Sequence, residues 1–213
     1  MLNNKKNKDN PLREHILLAL IGSIAASVIE FLPLMIGAVS DYLEASPDIA
    51  GFIFMSNFLG IAIGTLVSIV AMRHFTLKGC FIVGIALLFG AELGSAFIVN
   101  TDLLASIRFL SGIASGIISG SVAAAITLFP RQKRGFGLYM LSMFATSGVG
   151  LLLLPYIITS SGTKGLFISL AVLAGIALML LYLLTLPVAE KHDDTAPSQS
   201  MFSSVHNKET ITL

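Results

Sequence analysis

Apolar residues in this chain gather into six long runs, each separated from the next by a short polar or charged cluster. The runs cover residues 12–39, 48–72, 80–99, 103–129, 136–158 and 165–186. At 1.5 Å of rise per residue, a helix of about 20 residues crosses a hydrocarbon core about 30 Å thick. The pattern therefore predicts an all-α, polytopic membrane protein with six transmembrane helices. The separators read as turns. Asp41, Glu44 and Asp48 lie between spans 1 and 2, with Ser46 and Pro47 as the cap and first position of the next helix. Asn100, Thr101 and Asp102 form a tight turn into span 4, and residues 159–164 form the turn before span 6. Pro33 predicts a bend in span 1, because proline removes a helical hydrogen bond and crowds the preceding turn. Pro155 lies inside span 5, and Pro187 closes span 6. The organisation expected is a disordered cytoplasmic tail over residues 1–11, a six-helix transmembrane domain over 12–187, and a second disordered cytoplasmic tail over 188–213.

Composition sharpens this picture. Of 213 residues, 55% are hydrophobic and only 12% are charged, against about 25% charged in soluble domains. The first apolar run is far longer than a signal-peptide core and no cleavage pattern follows it, so it reads as a retained span. Charge then orients the chain. The amino-terminal lysines, Arg73, Lys78, Arg131, Lys133, Arg134 and Lys191 fall on one side, while Lys164 and the acidic loop fall on the other. The positive-inside rule places both termini in the cytoplasm, and the membrane expected is the cytoplasmic (inner) membrane. The basic residues form short clusters between spans, with no nucleic-acid-binding pattern. A single cysteine, Cys80, excludes an internal disulfide and supports no metal or redox pair. No histidine pair has metal-ligand spacing, and no nucleophile elbow or phosphate loop is present. These observations argue against an enzyme and imply no cofactor.

Three ionisable residues lie deep within apolar runs: Glu30, Glu92 and Arg108. Axial rise places Glu30 roughly 20 Å and Glu92 roughly 18 Å from the cytoplasmic side, and Arg108 roughly 7 Å down from the opposite side. All three reach one middle-to-outer layer, so Arg108 can neutralise either acid. Charges at such depth face protein or water. A carboxyl in a low-dielectric cavity can hold and release a proton near neutrality, which gives Glu30 a candidate role in proton coupling. Glu92 lies between Gly90 and Gly94, which fits a bond across a tight helix contact as well as a polar path. Arg108 either snorkels to the interface or lines that path. Asn57 is a further candidate, since its amide needs several partners at depth. Gly112, Gly116 and Gly120 recur every four residues in span 4, and Gly60 and Gly64 repeat that spacing in span 2. Such stripes let membrane helices approach closely. Ser23, Ser27, Ser111, Ser115, Ser119 and Ser147 supply small polar groups at depth.

Residues 12–187 resemble the amino-terminal six-helix half of a Major Facilitator Superfamily transporter. The resemblance rests on Arg108-Phe-Leu-Ser-Gly112-Ile-Ala-Ser-Gly116, similar to the family's R-F-x-x-G-x-x-x-G motif, whose arginine is linked to proton transfer. It extends to Phe129-Pro130-Arg131-Gln132-Lys133-Arg134-Gly135 between spans 4 and 5. It also includes Glu30-Phe31, where many members carry an acid-aromatic pair lining the central cavity. The family's G-x-x-x-D-R-x-G-R-R loop is only partly kept. Arg73 and Lys78 retain positive charge after Gly64, but the aspartate and inner glycine are missing. On span 5, Ser147-Gly148-Val149-Gly150 is separated from Pro155, so the antiporter motif is broken and uptake by symport is favoured over efflux.

The resemblance implies secondary active transport of a small solute, coupled to H+, within a lipid bilayer. Transport by rocking two halves around a central site requires a second wall. The expected partner is a separate six-helix half or a second copy in a homodimer. The competing expectation is a truncated or degenerate membrane protein that does not transport, acting as a remnant or as a partner in a membrane complex.

Overall fold

A computed structural model describes residues 11–186. Its elements are six α-helices: α1 (Pro11–Glu30), α2 (Leu32–Tyr42), α3 (Pro47–His74), α4 (Leu77–Ser95), α5 (Thr101–Thr127) and α6 (Gln132–Leu183). Five of them, all but α2, are long and apolar enough to cross a membrane. The tails expected on either side, and Pro187, fall outside the described residues apart from Pro11.

The first span is two helices, not one bent helix. α1 stops at Glu30, and α2 starts at Leu32 with Pro33 in its first turn. Proline cannot donate to the carbonyl of Ile29, four residues before it. The hydrogen bonds on either side survive, from Phe31 N to Ser27 O at 2.9 Å and from Met35 N to Phe31 O at 3.0 Å. The expected kink is therefore a break centred on Phe31, directly after Glu30.

The last two spans depart from expectation in the opposite way. No loop occupies residues 159–164; a 52-residue α6 runs through them. At 1.5 Å per residue it would extend about 78 Å, more than twice the hydrocarbon thickness, so it must fold back. It does so at Gly162, whose φ of 61° and ψ of −152° leave the helical region. Only glycine adopts that backbone readily, and the Tyr42 ring of α2 packs against it. The two arms, 132–161 and 163–183, supply the fifth and sixth crossings.

Capping sets the other ends. Ser46 Oγ accepts from Ile49 N, Thr76 Oγ1 from Gly79 N at 3.1 Å, and Asn100 Oδ1 from Leu103 N at 3.0 Å. Thr76 starts α4 three residues before the expected 80. Its end at Ser95 leaves residues 96–99, expected to be helical, in the turn before Asn100.

The most extensive helix contact joins α3 to α5, and glycine makes it. A Cβ at Gly60 would overlap the carbonyl oxygen of Phe109, and one at Gly64 that of Ile113. Reciprocally, Gly112 abuts the carbonyl of Asn57 and Gly116 that of Ile61, while Gly120 abuts Ser68 Oγ. Two glycine stripes thus face each other, backbone against backbone. The opposite side of α3 exposes Phe52, Met55, Leu59, Leu66 and Val70, as a lipid-facing surface would.

Two apolar cores fill the bundle. One gathers Leu18 and Ile21 of α1, Phe81 and Ile85 of α4, Ile118 and Val122 of α5, and Ala174 and Leu181 of α6. The other gathers Phe31 and Met35, Ile53 and Phe54 of α3, Leu104 of α5, and Leu166 and Phe167 of α6. A polar clamp closes the ring of helices. Arg13 donates to Leu183 O at 3.0 Å, and Glu14 Oε2 accepts from Thr185 N at 3.1 Å. Arg13 thereby satisfies one last-turn carbonyl of α6 that lacks a helical donor, and Glu14 an N–H just beyond the helix.

Candidate functional site

Arg108 lies seven residues into α5, and Glu92 three residues before α4 ends. Both helices approach the turn at Asn100, so their ends bring the two side chains to one level. Arg108 Nη1 donates to Glu92 Oε1 at 3.0 Å and Nη2 to Glu92 Oε2 at 3.0 Å. Nη2 also reaches Ser95 Oγ at 2.7 Å and Ala91 O at 3.4 Å. Ser111 Oγ, almost one turn beyond Arg108, donates to Glu92 Oε1 at 2.7 Å. The Phe167 ring of α6 covers the guanidinium, with its centroid 4.8 Å from Cζ. Arg108 is 0% and Glu92 2% exposed. Two charges so removed from solvent persist because each neutralises the other and further hydrogen bonds engage both Nη atoms and the carboxylate.

Depth allowed Arg108 either of two acids, and Glu92 is the one it holds. Arg108 does not snorkel. Glycine packing is not what places Glu92: a Cβ at Gly90 would meet nothing within 4 Å, and one at Gly94 only Ile107 at 3.7 Å.

Glu30 stands apart from this pair. It ends α1, half-buried, and both of its carboxylate oxygens are buried without a hydrogen-bond partner among the described residues. The neighbouring Phe31 ring packs against Gly150 of α6, where a Cβ would overlap it. The break in the first span and the first arm of α6 together set where Glu30 projects.

Asn57 of α3 is fully buried, and its Nδ2 donates to Arg108 O at 2.7 Å. It touches the backbone of Arg108, not its charge, and its Oδ1 has no partner. Ser115 Oγ is likewise buried and unpaired. Pro155 lies within the first arm of α6, where Thr159 Oγ1 bonds its carbonyl at 2.8 Å. Pro33 and Arg73 are exposed, Arg73 in the last turn of α3.

Several polar contacts had no sequence signal of their own. Ser142 and Thr146 of α6 donate to Ser23 Oγ of α1 at 3.0 and 3.1 Å. Nothing in the spacing gives the rotation of the fifth span against the first, so neither residue stands out in the sequence. Phe167 is one phenylalanine among many. Ser95 was readable in retrospect, since it lies three residues after Glu92 on the same helix face. An apolar groove of about 520 Å³ opens between the α6 arms, lined by Phe31, Gly150, Leu153, Leu154, Ile168 and Val172. It contains no charged side chain. Among the described residues, no cluster of histidine, cysteine, aspartate or glutamate could hold a metal ion.

The profile of the Major Facilitator Superfamily matches residues 16–210. Curated proteins gave no match to this chain.

Proposed function

The chain belongs to the Major Facilitator Superfamily, and from that premise we propose that it takes up a small solute across the cytoplasmic membrane together with protons, both termini lying in the cytoplasm. Family membership makes it a multi-pass membrane protein of secondary transport, not a catalyst. The finer reading rests on one observation: among the described residues Glu30 is the deep acid left without a partner, while Glu92 is held by Arg108. A carboxylate already neutralised by arginine has little use for a proton. An acid that no cation neutralises can be neutralised by one, and its two forms then favour different helix arrangements. Glu30 adjoins the break at Phe31, where the first span is least constrained by backbone hydrogen bonds. Protonation there is coupled to the angle between α1 and α2.

Arg108 has a different part in this reading. Both Nη atoms are occupied, so an anionic solute reaches it only by displacing Glu92. Its primary work is to hold α5 to α4, with Asn57 and the glycine stripes holding α3 to α5. These helices form one rigid wall, and a second six-helix half or a second copy supplies the other wall of the solute path.

The test is uptake of radiolabelled sugars, amino acids and organic anions into proteoliposomes under an imposed pH gradient. Wild-type protein should concentrate one of these classes only when the outside is the more acidic, so that protons run inward. Glu30→Gln and Glu30→Ala should abolish gradient-driven accumulation, and solute exchange should survive in Glu30→Gln. Unchanged accumulation and pH dependence in both variants would refute the coupling role. Native mass measurement in mild detergent separates monomer, homodimer and a pair with a second half.

A further inference from the structure

The hydrogen-bond donors of Arg108 that are in use all point into α4 and its acid, yet one face of the guanidinium is closed by a residue from elsewhere. Phe167 is fully buried, stands 4.8 Å from Arg108 Cζ, and belongs to the second arm of α6. That arm begins at Gly162, five residues earlier, where the helix breaks. One turn before Phe167, Lys164 lies over the Phe97 ring at 5.1 Å, just past the end of α4. The same arm therefore touches α4's outer end at one level and the ion pair at the next. Arg108 Nε has no hydrogen-bond partner, so the aromatic face is what the rest of the guanidinium meets. An aromatic ring offers a cation negative charge on its face without competing for the carboxylate. It also excludes the water that would weaken the pair.

We propose that Phe167 is a positioning residue for the Arg108–Glu92 pair: an aromatic cover, carried on the arm that starts at Gly162, which keeps the pair closed and dry. When the arm moves about Gly162, the cover leaves the pair and water reaches Glu92. This goes beyond the transport reading and does not depend on the solute or on the role of Glu30.

Dicyclohexylcarbodiimide tests it, because this apolar reagent adds to a protonated carboxyl that it can reach and leaves an arginine-paired carboxylate unmodified. Purified full-length protein is treated, digested, and the adducts located by mass spectrometry. In the wild type Glu92 reacts slowly. Phe167→Leu keeps apolar bulk without a ring face and should speed Glu92 modification about fivefold or more, given the size of cation–aromatic contacts. Phe167→Ala should do so further. Phe167→Tyr restores the ring and should return Glu92 to the wild-type rate. Unchanged circular dichroism and melting temperature across the set report that each variant remains folded. Wild-type protection of Glu92 in folded Phe167→Leu overturns the proposal, as does Phe167→Tyr reacting as fast as Phe167→Leu.

Discussion

Arg108 and Glu92 meet through two hydrogen bonds of equal length, Nη1 to Oε1 and Nη2 to Oε2, both 3.0 Å. Removing one partner from such a buried pair strands the other charge, at a cost of about 3–5 kcal/mol. Glu92→Ala and Arg108→Ala are each expected to lose that much stability. The double variant Glu92→Leu/Arg108→Leu should recover most of it, since no charge is left uncompensated. Denaturant titration followed by circular dichroism in micelles measures the three. A double variant as unstable as the sum of the singles would show that the pair is not one energetic unit.

The facing stripes of α3 and α5 predict opposite signs for chemically identical changes. At Gly112 and Gly116 an added methyl meets the backbone carbonyls of Asn57 and Ile61, which cannot move aside as a side-chain tip can. Alanine there should destabilise by about 1–3 kcal/mol through overpacking. At Gly51 and Gly90 nothing lies within 4 Å of the new atom, so alanine should stabilise by about 0.5–1 kcal/mol through helix propensity alone. Melting temperatures of the four variants decide the matter; a uniform response would mean that close approach is not what these glycines provide.

Gly150 and Phe31 form a pair in which one residue's absence of a side chain makes room for the other's ring. Gly150→Ala should cost about 1–3 kcal/mol by overpacking. In the background of Phe31→Ala, which already removes the ring, the same change should cost close to nothing. The coupling expected from this cycle is about 0.5–3 kcal/mol, typical of residues in contact. Additive effects would place the ring elsewhere.

How far such contacts could be read in advance depends on which coordinate a pattern encodes. Run length gives position along a helix axis, so the six crossings, the layer shared by Glu92 and Arg108, and the glycine spacing were all legible. Rotation about each axis is not encoded, and partner choice depends on it. Glu30 and Glu92 are equivalent by depth, and only the packed helices distinguish them. Gly162 was hidden for another reason. Polar residues from Thr159 to Lys164 imitate a loop, whereas one residue in a left-handed conformation is enough to turn the chain. At Phe31 the proline rule located the disturbance but not its form.

The clamp between the chain's first and last described turns gives a prediction of smaller size. Glu14 Oε2 accepts from Thr185 N at 3.1 Å, and Arg13 donates to Leu183 O at 3.0 Å. Arg13 also lies 3.3 Å from Glu14, but the arginine side chain is 45% exposed, so that ion pair adds little. The hydrogen bonds to the backbone carry the contact, each contributing about 0.5–1.5 kcal/mol. Glu14→Ala should therefore barely shift global unfolding, because the end of α6 can open by itself. It should instead raise amide hydrogen exchange locally, at Thr185 and its neighbours, about fivefold for a loss near 1 kcal/mol. Glu14→Gln, which keeps an acceptor oxygen, should retain most of the protection. Exchange at residues 181–186 read by mass spectrometry distinguishes this from a charge effect, in which glutamine and alanine would behave alike.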